Sequence, residues 1–209
     1  MELILIRHGI TAWNQEHRFQ GQIDTPLSEL GHQQAAFTAA HLLGLVSTQP
    51  IDAVYTSDLQ RAVHTAEPIA RALGLAMRYD ARLRERHYGV FEGKTLADLE
   101  APGHAEDYRR WRNREPDYAL PEGGESLRSF FARSQEVLHA IASRHPIGQR
   151  IVVVTHGGVL DCVYRIACAM DMTAVRQHPL HNAAINRIAW DGQGFSLVAW
   201  GSIEHLPPT

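Results

Sequence analysis

Two histidines occupy the same kind of position in this sequence. His8 comes shortly after the apolar run 3–6, His156 comes shortly after the apolar run 151–154, and a glycine directly follows each histidine. Short continuous apolar runs are typical of strands that are buried on both faces. If the two strands are neighbours in a parallel sheet, both imidazoles project into one crevice beyond the carboxyl ends of the strands, where such sheets bind ligands.

Arginines near these histidines predict an anion in that crevice. Arg7 precedes the first histidine, and Arg61 lies in the first turn of the helix predicted after the next strand. A planar guanidinium binds phosphate bidentately and keeps its charge at any working pH. With His156, the two arginines could neutralise the three non-bridging oxygens of a phosphoryl group in transfer. Gly9 and Gly157 are expected to let backbone N–H groups approach the same anion.

A phosphoryl transfer also needs a nucleophile and an acid. The neutral imidazole of His8 is a competent nucleophile, and the departing alkoxide then needs a proton. Glu85, in the charged stretch 83–87, is the candidate for this acid and could later activate the attacking water. A solvated or salt-bridged side chain is the alternative interpretation, because other glutamates occupy the same part of the chain: Glu92, Glu100, Glu106, Glu122 and Glu125.

Strand and helix patterns alternate along the chain. They predict strands over 3–6, 51–55, 75–80 and 151–154, helices over 28–43, 59–73 and from Ser126 onward, and a hairpin within 183–200. Gly44 is expected to end the first of these helices, and Ser57 with Gln60 has the spacing of a capping box for the second. The alternation predicts an α/β fold, a three-layer sandwich whose mostly parallel sheet carries helices on both faces.

Residues 83–125 differ from the rest of the chain. This stretch is charged and contains several glycines and prolines, which predict loops and short helices rather than a strand of the sheet. We expect a short helical cap, about 86–125, over the carboxyl ends of the strands. No linker-like change in composition divides the chain, so residues 1–209 are expected to form a single domain.

Composition and charge exclude several classes of partner. The 209 residues are 44% hydrophobic and 21% charged, which is ordinary for a globular protein. A net charge of -3 gives no general attraction to nucleic acid or to an anionic membrane, and no apolar run is long enough to span a bilayer. The N-terminus lacks the pattern of a signal peptide, so we expect a cytoplasmic protein. Cys162 and Cys168 lie six positions apart and are not expected to form a disulfide.

Thirteen histidines raise the question of a metal site. Zinc ligands usually come in close pairs such as His-x-x-x-His or Cys-x-x-Cys, and no such pair stands on a convincing element. No metal and no other cofactor is therefore predicted. Most histidines are expected at the surface or at helix caps, including His32, His41, His139, His145 and His205.

Four blocks of residues follow one another in an informative order. They are Arg7-His8-Gly9 with Thr11, Trp13 and Asn14; the run 57–62 with Thr65 and Ala66; Glu85 ahead of Tyr88-Gly89 and Glu92-Gly93; and the run 153–158. Together they span most of the chain and resemble the histidine phosphatase superfamily, also called phosphoglycerate mutase-like. Arg-His-Gly alone is a weak signal because a tripeptide arises by chance, whereas the four blocks together are highly specific.

The resemblance implies a role for each matching residue and a reaction without metal. It implies that His8 accepts the phosphoryl group and that Glu85 donates the proton. The other implied positions are the phosphate pocket of Arg7, Arg61 and His156, further phosphate contacts from Thr11 and Asn14, and an entrance lined by Gln20 and Gly21.

Three functions stay open at this point. Hydrolases of the superfamily release the phosphoryl group to water, and mutases return it to the substrate. Only 71 positions separate Glu85 from His156, which suits a compact cap that admits water and favours a metal-independent phosphomonoesterase acting on a small phosphorylated metabolite. The run 85–89 is similar to the mutases, so a phosphoglycerate mutase is the alternative. The third interpretation is a non-catalytic protein that binds a phospho-ligand, although neither nucleophile nor acid is missing.

A basic run surrounds Trp111 and consists of Arg109, Arg110, Arg112 and Arg114. We expect an exposed helical face there, which could also bind a second anionic group of the substrate. A small-molecule phosphate ester is the partner predicted, and the sequence specifies neither which ester it is nor whether the chain forms a homo-oligomer.

Overall fold

A six-stranded sheet forms the centre of the computed structural model, which describes residues 1–46 and 49–207. The strands are β1 Glu2–Arg7, β2 Ala53–Thr56, β3 Met77–Tyr79, β4 Arg150–Thr155, β5 Ile185–Trp190 and β6 Phe195–Ser202. Their order across the sheet is β3-β2-β4-β1-β5-β6. The first four run parallel, and β5 and β6 form an antiparallel hairpin at one edge. The predicted mostly parallel sheet and its terminal hairpin are therefore confirmed.

Helices cover both faces of the sheet, as the alternating pattern predicted. The helices are α1 Ala12–Gln15, α2 Glu29–Leu45, α3 Gln60–Leu73, α4 Leu96–Glu100, α5 Ala105–Arg112, α6 Leu127–Ser143 and α7 Gly157–Ala167. On one face, Ile4 and Ile6 of β1 pack with apolar residues of α2 and α3. On the other face, Leu3 and Leu5 pack with residues of α6 and α7. Because successive side chains of a strand point to opposite faces, burial of both faces requires the continuous apolar runs seen in the sequence.

The register of the two central strands positions both histidines. β1 lies directly beside β4, with Arg7 opposite Thr155 as the last pair of the ladder. The next residue continues this pairing, since the His8 amide donates to the carbonyl of Thr155 at 2.9 Å. His8 and His156 therefore leave the sheet side by side at its carboxyl edge.

Two local predictions about helix ends were wrong. Gly44 does not end α2, because the helix continues to Leu45 and its C-cap has ordinary right-handed backbone angles that need no glycine. The capping box of Ser57 and Gln60 does not form either. Leu59 is the N-cap of α3 without a side-chain cap bond, and the Gln60 amide and side chain both bind Asp24, at 2.7 and 3.0 Å.

The cap segment holds α4, α5 and a 3-10 turn at Gly89–Phe91. It builds a small apolar cluster of its own from Phe91, Leu99 and Leu120, separate from the two clusters on the faces of the sheet. Such satellite clusters usually form beneath long surface segments. The cap thus has its own packing, and its inner side chains remain available to line a cavity.

The structure also bears on the cysteines, on membrane spans and on metal sites. Both cysteines are free. Among residues 1–46 and 49–207, no helix combines the length and apolar character needed to cross a bilayer, and no group of three or more potential ligand side chains could hold a metal ion.

Candidate active site

The structure brings the two predicted histidines together. The ring centroids of His8 and His156 lie 5.2 Å apart, although 148 positions separate them in the sequence. Their side chains are almost fully buried, at 3% and 0% exposure. This contact follows from the adjacency of β1 and β4 described above.

His8 has one nitrogen free for chemistry. Its Nδ1 lies 2.8 Å from the carbonyl of Gly9, and because a carbonyl can only accept, Nδ1 carries the proton. In the neutral ring the lone pair then lies on Nε2. Burial and the charges of Arg61 and Arg7 hold the pKa of His8 well below its usual value, so the ring is neutral at pH 7. A neutral imidazole with a free Nε2 is the form that attacks phosphorus.

His156 presents the opposite nitrogen. Its Nε2 lies 2.9 Å from the hydroxyl of Ser57, which itself accepts from the amide of Leu59 at 3.3 Å. When Ser57 donates its proton to Nε2, the neutral ring carries hydrogen on Nδ1, and that buried atom has no partner among the described residues. Burial and neighbouring positive charge, first that of Arg61, lower the pKa of His156 well below its usual value. His156 is thus neutral near pH 7, and its Nδ1 is available to a ligand.

The two arginines are each fixed by backbone carbonyls. Arg61 is fully buried and donates to the carbonyls of Ile23 at 2.8 Å and Gly21 at 2.6 Å. Arg7 donates to the carbonyl of Leu180. The Nε atoms of both arginines are buried and have no partner in the described part of the chain. Burial lowers the pKa of Arg61 to about 10 and also lowers that of Arg7, yet both stay charged near neutral pH.

Glu85 lies against the start of α7. Its carboxylate accepts from the amides of Gly158 at 2.9 Å and Arg86 at 2.8 Å. A β-carbon on Gly158 would lie only 2.1 Å from Glu85 Oε1, so the carboxylate occupies space that only glycine leaves open. Of the glutamates in this stretch, Glu85 is the one that lines the cavity beside His8.

The remaining predicted contacts fall into two groups. Asn14, Gln20 and Gly21 line the cavity beside His8. The phosphate contact of Asn14 and the entrance role of Gln20 and Gly21 stay predictions. Thr11 does not line this cavity: its buried side chain caps α1 by accepting from the Asn14 amide at 3.1 Å. A contact between Thr11 and phosphate stays a prediction, and the observed bond shows that Thr11 helps to orient Asn14.

The glycines after the two histidines differ from one another, and the expectation for Gly9 was wrong. The Gly9 amide donates to the hydroxyl of Thr65 at 3.0 Å and is not free for a ligand. Glycine is required there because a β-carbon would lie 2.5 Å from the carbonyl oxygen of Gly31 in α2. Gly157 begins α7 and lies close to Arg7, whose Nε would be 3.3 Å from an added β-carbon.

Two adjoining cavities open at this edge of the sheet. A cavity of about 320 Å³ contains His8 and Arg61, and one of about 580 Å³ contains Arg7 and Gly157. Glu85 and Tyr88 line both, so they form the boundary between the two. We call them the small cavity and the large cavity.

Sequence reasoning missed several residues that support the site. Asn182 donates to the carbonyl of His8 at 2.9 Å and lies 3.2 Å from Asn14 Oδ1. Arg133 of α6 donates to the carbonyl of Glu85 at 3.2 Å and binds Glu125 Oε2 at 2.7 Å. No local pattern marks Asn182, whereas Glu125 could have been noticed as the glutamate directly before the predicted N-cap of α6.

The basic run 109–114 is divided by the structure. Arg109 binds Glu106 at 2.6 Å, Arg110 binds Glu115 at 2.7 Å, and neither lines the small or the large cavity. Arg112 and Arg114 line the large cavity. The run is therefore not one exposed face, because residues one and two apart on a helix point in different directions.

Comparisons with known proteins agree with this geometry. The family model described as histidine phosphatase superfamily (branch 1) matches residues 3–203. Phosphoglycerate mutase-like protein 4 of Arabidopsis thaliana is 37% identical over 100% of this chain and 88% of its own, and the metal-independent phosphoserine phosphatase of the same plant is 37% identical over 98% and 83%.

A solved structure is similar over nearly its whole length. The mycobacterial glucosyl-3-phosphoglycerate phosphatase in complex with VO3 superposes with a TM-score of 0.80 at 33% identity, covering 96% of this chain and 98% of the other. These homologues and structural neighbours support a phosphatase. The resemblance read from the four sequence blocks is confirmed, and the chain belongs to the histidine phosphatase superfamily (branch 1).

Proposed function

We propose that the chain is a phosphomonoesterase that works through a phosphohistidine at His8 and acts on a small phosphorylated metabolite. One observation carries this proposal. Near the neutral His8, three buried nitrogen atoms have no partner in the described chain: Arg7 Nε, Arg61 Nε and His156 Nδ1. Buried polar groups are almost always hydrogen-bonded, so unpaired donors of this kind call for an oxyanion.

The proposed reaction has two steps. In the first, His8 Nε2 forms a bond to phosphorus while the ester P–O bond breaks, and Glu85 gives its proton to the departing alkoxide. In the second, Glu85 takes a proton from water as the water attacks phosphorus, and the P–N bond breaks to release phosphate. The guanidinium groups of Arg7 and Arg61 stabilise the negative charge in both transition states.

The phosphoglycerate mutase reaction is the second candidate. It is favoured by the 37% identity to a protein named phosphoglycerate mutase-like and by the arginines of the large cavity, next to the reacting centre. The first step would be the same, and the phosphoryl group would then return to another hydroxyl of the substrate. The short cap favours water over substrate as the acceptor.

Two assays separate these functions. Release of inorganic phosphate from 4-nitrophenyl phosphate is measured beside interconversion of 2- and 3-phosphoglycerate, both with and without a chelator. We expect phosphate release that the chelator leaves unchanged and little interconversion. Interconversion without phosphate release would replace the proposal by the mutase, and absence of both would favour a non-catalytic phospho-ligand protein. A cytoplasmic location and a single domain over residues 1–209 also remain proposals.

A further inference from the structure

The acid of the proposed reaction lies in a stretch without regular structure. A 3-10 turn at Ala81–Leu83 ends two residues before Glu85, and the next turn begins only at Gly89. Backbone groups outside helices and strands need other partners, because an unpaired buried carbonyl costs free energy. The position of Glu85 therefore depends on side chains from other parts of the chain.

Arg133 of α6 supplies such partners. Its guanidinium donates to three carbonyls of this stretch, those of Arg82 at 2.7 Å, Arg84 at 2.9 Å and Glu85 at 3.2 Å. Its remaining donors bind the two carboxylate oxygens of Glu125, at 2.9 and 2.7 Å. A guanidinium has five N–H donors in a rigid fork, and all five are used here. One side chain thus fixes the backbone up to and including the acid.

Glu125 holds the residues that follow the acid. Its Oε2 also accepts from the amide of His87 at 2.9 Å, and its own amide donates to the carbonyl of His87 at 2.9 Å. Its carbonyl accepts from the Arg86 guanidinium at 2.7 and 3.0 Å. The backbone is therefore held before Glu85 by Arg133 and after it by Glu125, and the two holding residues bind each other.

The pair of Arg133 and Glu125 is sheltered and neutral as a whole. The two side chains are 19% and 22% exposed, and the Arg133 guanidinium lies over the ring of Phe130, 5.0 Å from its centre. Paired hydrogen bonds between a guanidinium and a carboxylate fix the relative orientation of the two groups. Because the two charges cancel, the pair holds Glu85 without adding net charge beside it. Neither residue lines the small or the large cavity, so neither would touch the substrate.

We propose that Arg133 and Glu125 are positioning residues for the catalytic acid: together they hold the backbone of Glu85 so that its carboxyl group reaches the departing alkoxide. The proposal rests on the proposed function, because it assumes that Glu85 is the proton donor. Misplacing a reacting group by about 1 Å can cost about 10²-fold in rate. Loosening the pair should therefore slow the steps in which Glu85 moves a proton and spare the others.

The test compares a series of leaving groups. We would measure kcat/KM for 4-nitrophenyl phosphate, whose nitrophenolate leaves without a proton, and for phenyl phosphate and butyl phosphate, whose leaving oxygens increasingly need one. kcat/KM covers the steps up to departure of the leaving group, so the later attack of water does not affect it. The ratio of two such values does not depend on how much of a preparation is folded, so a destabilised variant can still be measured.

Variants of the pair should lose activity in the order of the leaving groups. Arg133→Ala should lower kcat/KM by about 10–10²-fold for butyl phosphate and by less than about threefold for 4-nitrophenyl phosphate. Arg133→Lys keeps the charge without the planar fork, and Glu125→Gln keeps the shape without the charge, so each should give a smaller loss in the same order. In Glu85→Gln, where the acid is already missing, adding Arg133→Ala should lower kcat/KM by less than about threefold more.

Arg128→Ala is the matched control on the same helix. Arg128 binds the carboxylate of Asp117 at 2.6 and 3.0 Å, so it also forms a paired guanidinium–carboxylate contact, but both side chains are exposed. Its removal should leave the ratios of the kcat/KM values as in the wild type.

The outcomes separate this inference from the proposed function. If Glu85→Gln shows the dependence on leaving group but the variants of the pair lower all three values equally, or none of them, the inference is wrong and the phosphomonoesterase stands. Equal losses from Arg133→Ala in the wild type and in Glu85→Gln also overturn it. If Arg133→Ala does not fold, the ratios for Arg133→Lys and Glu125→Gln decide. If the wild type hydrolyses none of the three esters, the proposed function itself fails.

Discussion

The small and the large cavity are built in different ways. In the small cavity, His8 and Arg61 are buried and are held by the sheet and by backbone carbonyls. In the large cavity, Arg112 and Arg176 are exposed, and Val175 beside them is 77% exposed. The register of the strands therefore fixes the groups beside His8, whereas the large cavity is lined in part by the cap and a surface loop, the kind of segment that varies most among related proteins.

Removing the nucleophile tests the small cavity most strongly. His8→Ala should lower kcat by about 10⁴-fold or more for every phosphate ester, because the reaction then lacks the imidazole that is proposed to attack phosphorus. The measurement is phosphate release from two esters with different alcohol groups. A loss that differs between the two esters by more than about tenfold would show that the small cavity does not supply the nucleophile for both.

Glu85 lies on the boundary between the two cavities, and the effect of replacing it on kcat should depend on the leaving group of the ester. Glu85→Gln keeps the shape but removes the proton donor, so kcat for an alkyl phosphate should fall by roughly 10²–10⁴-fold. The nitrophenolate of 4-nitrophenyl phosphate leaves without a proton, and the fall should be much smaller there. Equal losses for the two substrates would mean that Glu85 has only a structural role.

The burial of His8 and His156 should make the free energy of unfolding depend on pH. The pKa values of both histidines are lowered in the folded state. Below the unfolded value of about 6.5 the unfolded chain therefore binds more protons than the folded chain, and the free energy of unfolding decreases as the pH is lowered. Each histidine can contribute up to roughly 1.4 kcal/mol for each pH unit in that range. Denaturant unfolding at pH 7 and pH 5 should show a weaker pH dependence in His156→Gln than in the wild type.

A surface histidine supplies the control for that experiment. His32→Gln removes an exposed ring and should leave the difference between the two pH values as in the wild type. If His156→Gln and the wild type lose the same free energy on acidification, the neutral buried state of His156 is contradicted.

The substitution with the smallest expected effect moves the Glu85 carboxylate but keeps glutamate at position 85. Gly158→Ala would place a β-carbon 2.1 Å from Glu85 Oε1, so the carboxylate must move while the helix gains a residue of better helical propensity. We expect kcat for an alkyl phosphate to fall by about tenfold, with the free energy of unfolding changed by less than about 1.5 kcal/mol. A variant with full activity would show that the position of Glu85 against α7 is not needed.

Much of the small cavity could be predicted from the sequence. The runs 3–6 and 151–154 are buried on both faces, and this alone predicts central strands whose ends bring His8 and His156 to one edge. The first turn of α3 likewise places Arg61 there. These are consequences of short-range pattern and of the parallel sheet.

Contacts between residues far apart in the sequence could not be predicted from local patterns. The bond between Ser57 and His156 joins residues 99 positions apart, and Ser57 had been interpreted as part of a capping box. The Gly9 amide was predicted to approach a ligand, but it donates to Thr65. Glycine is needed at position 9 because the backbone of Gly31 lies close to it. Neither contact leaves a local signal, because each depends on how one element packs against another.

We propose above that His8 carries the phosphoryl group during turnover. The most direct measurement is to mix the protein with a ³²P-labelled phosphate ester, quench in alkali, where a phosphoramidate survives, and map the label by peptide analysis. We expect label on the peptide that contains His8, lost on mild acid treatment and absent from His8→Ala. Phosphate release by the wild type with label on another residue, or release undiminished in His8→Ala, would contradict it.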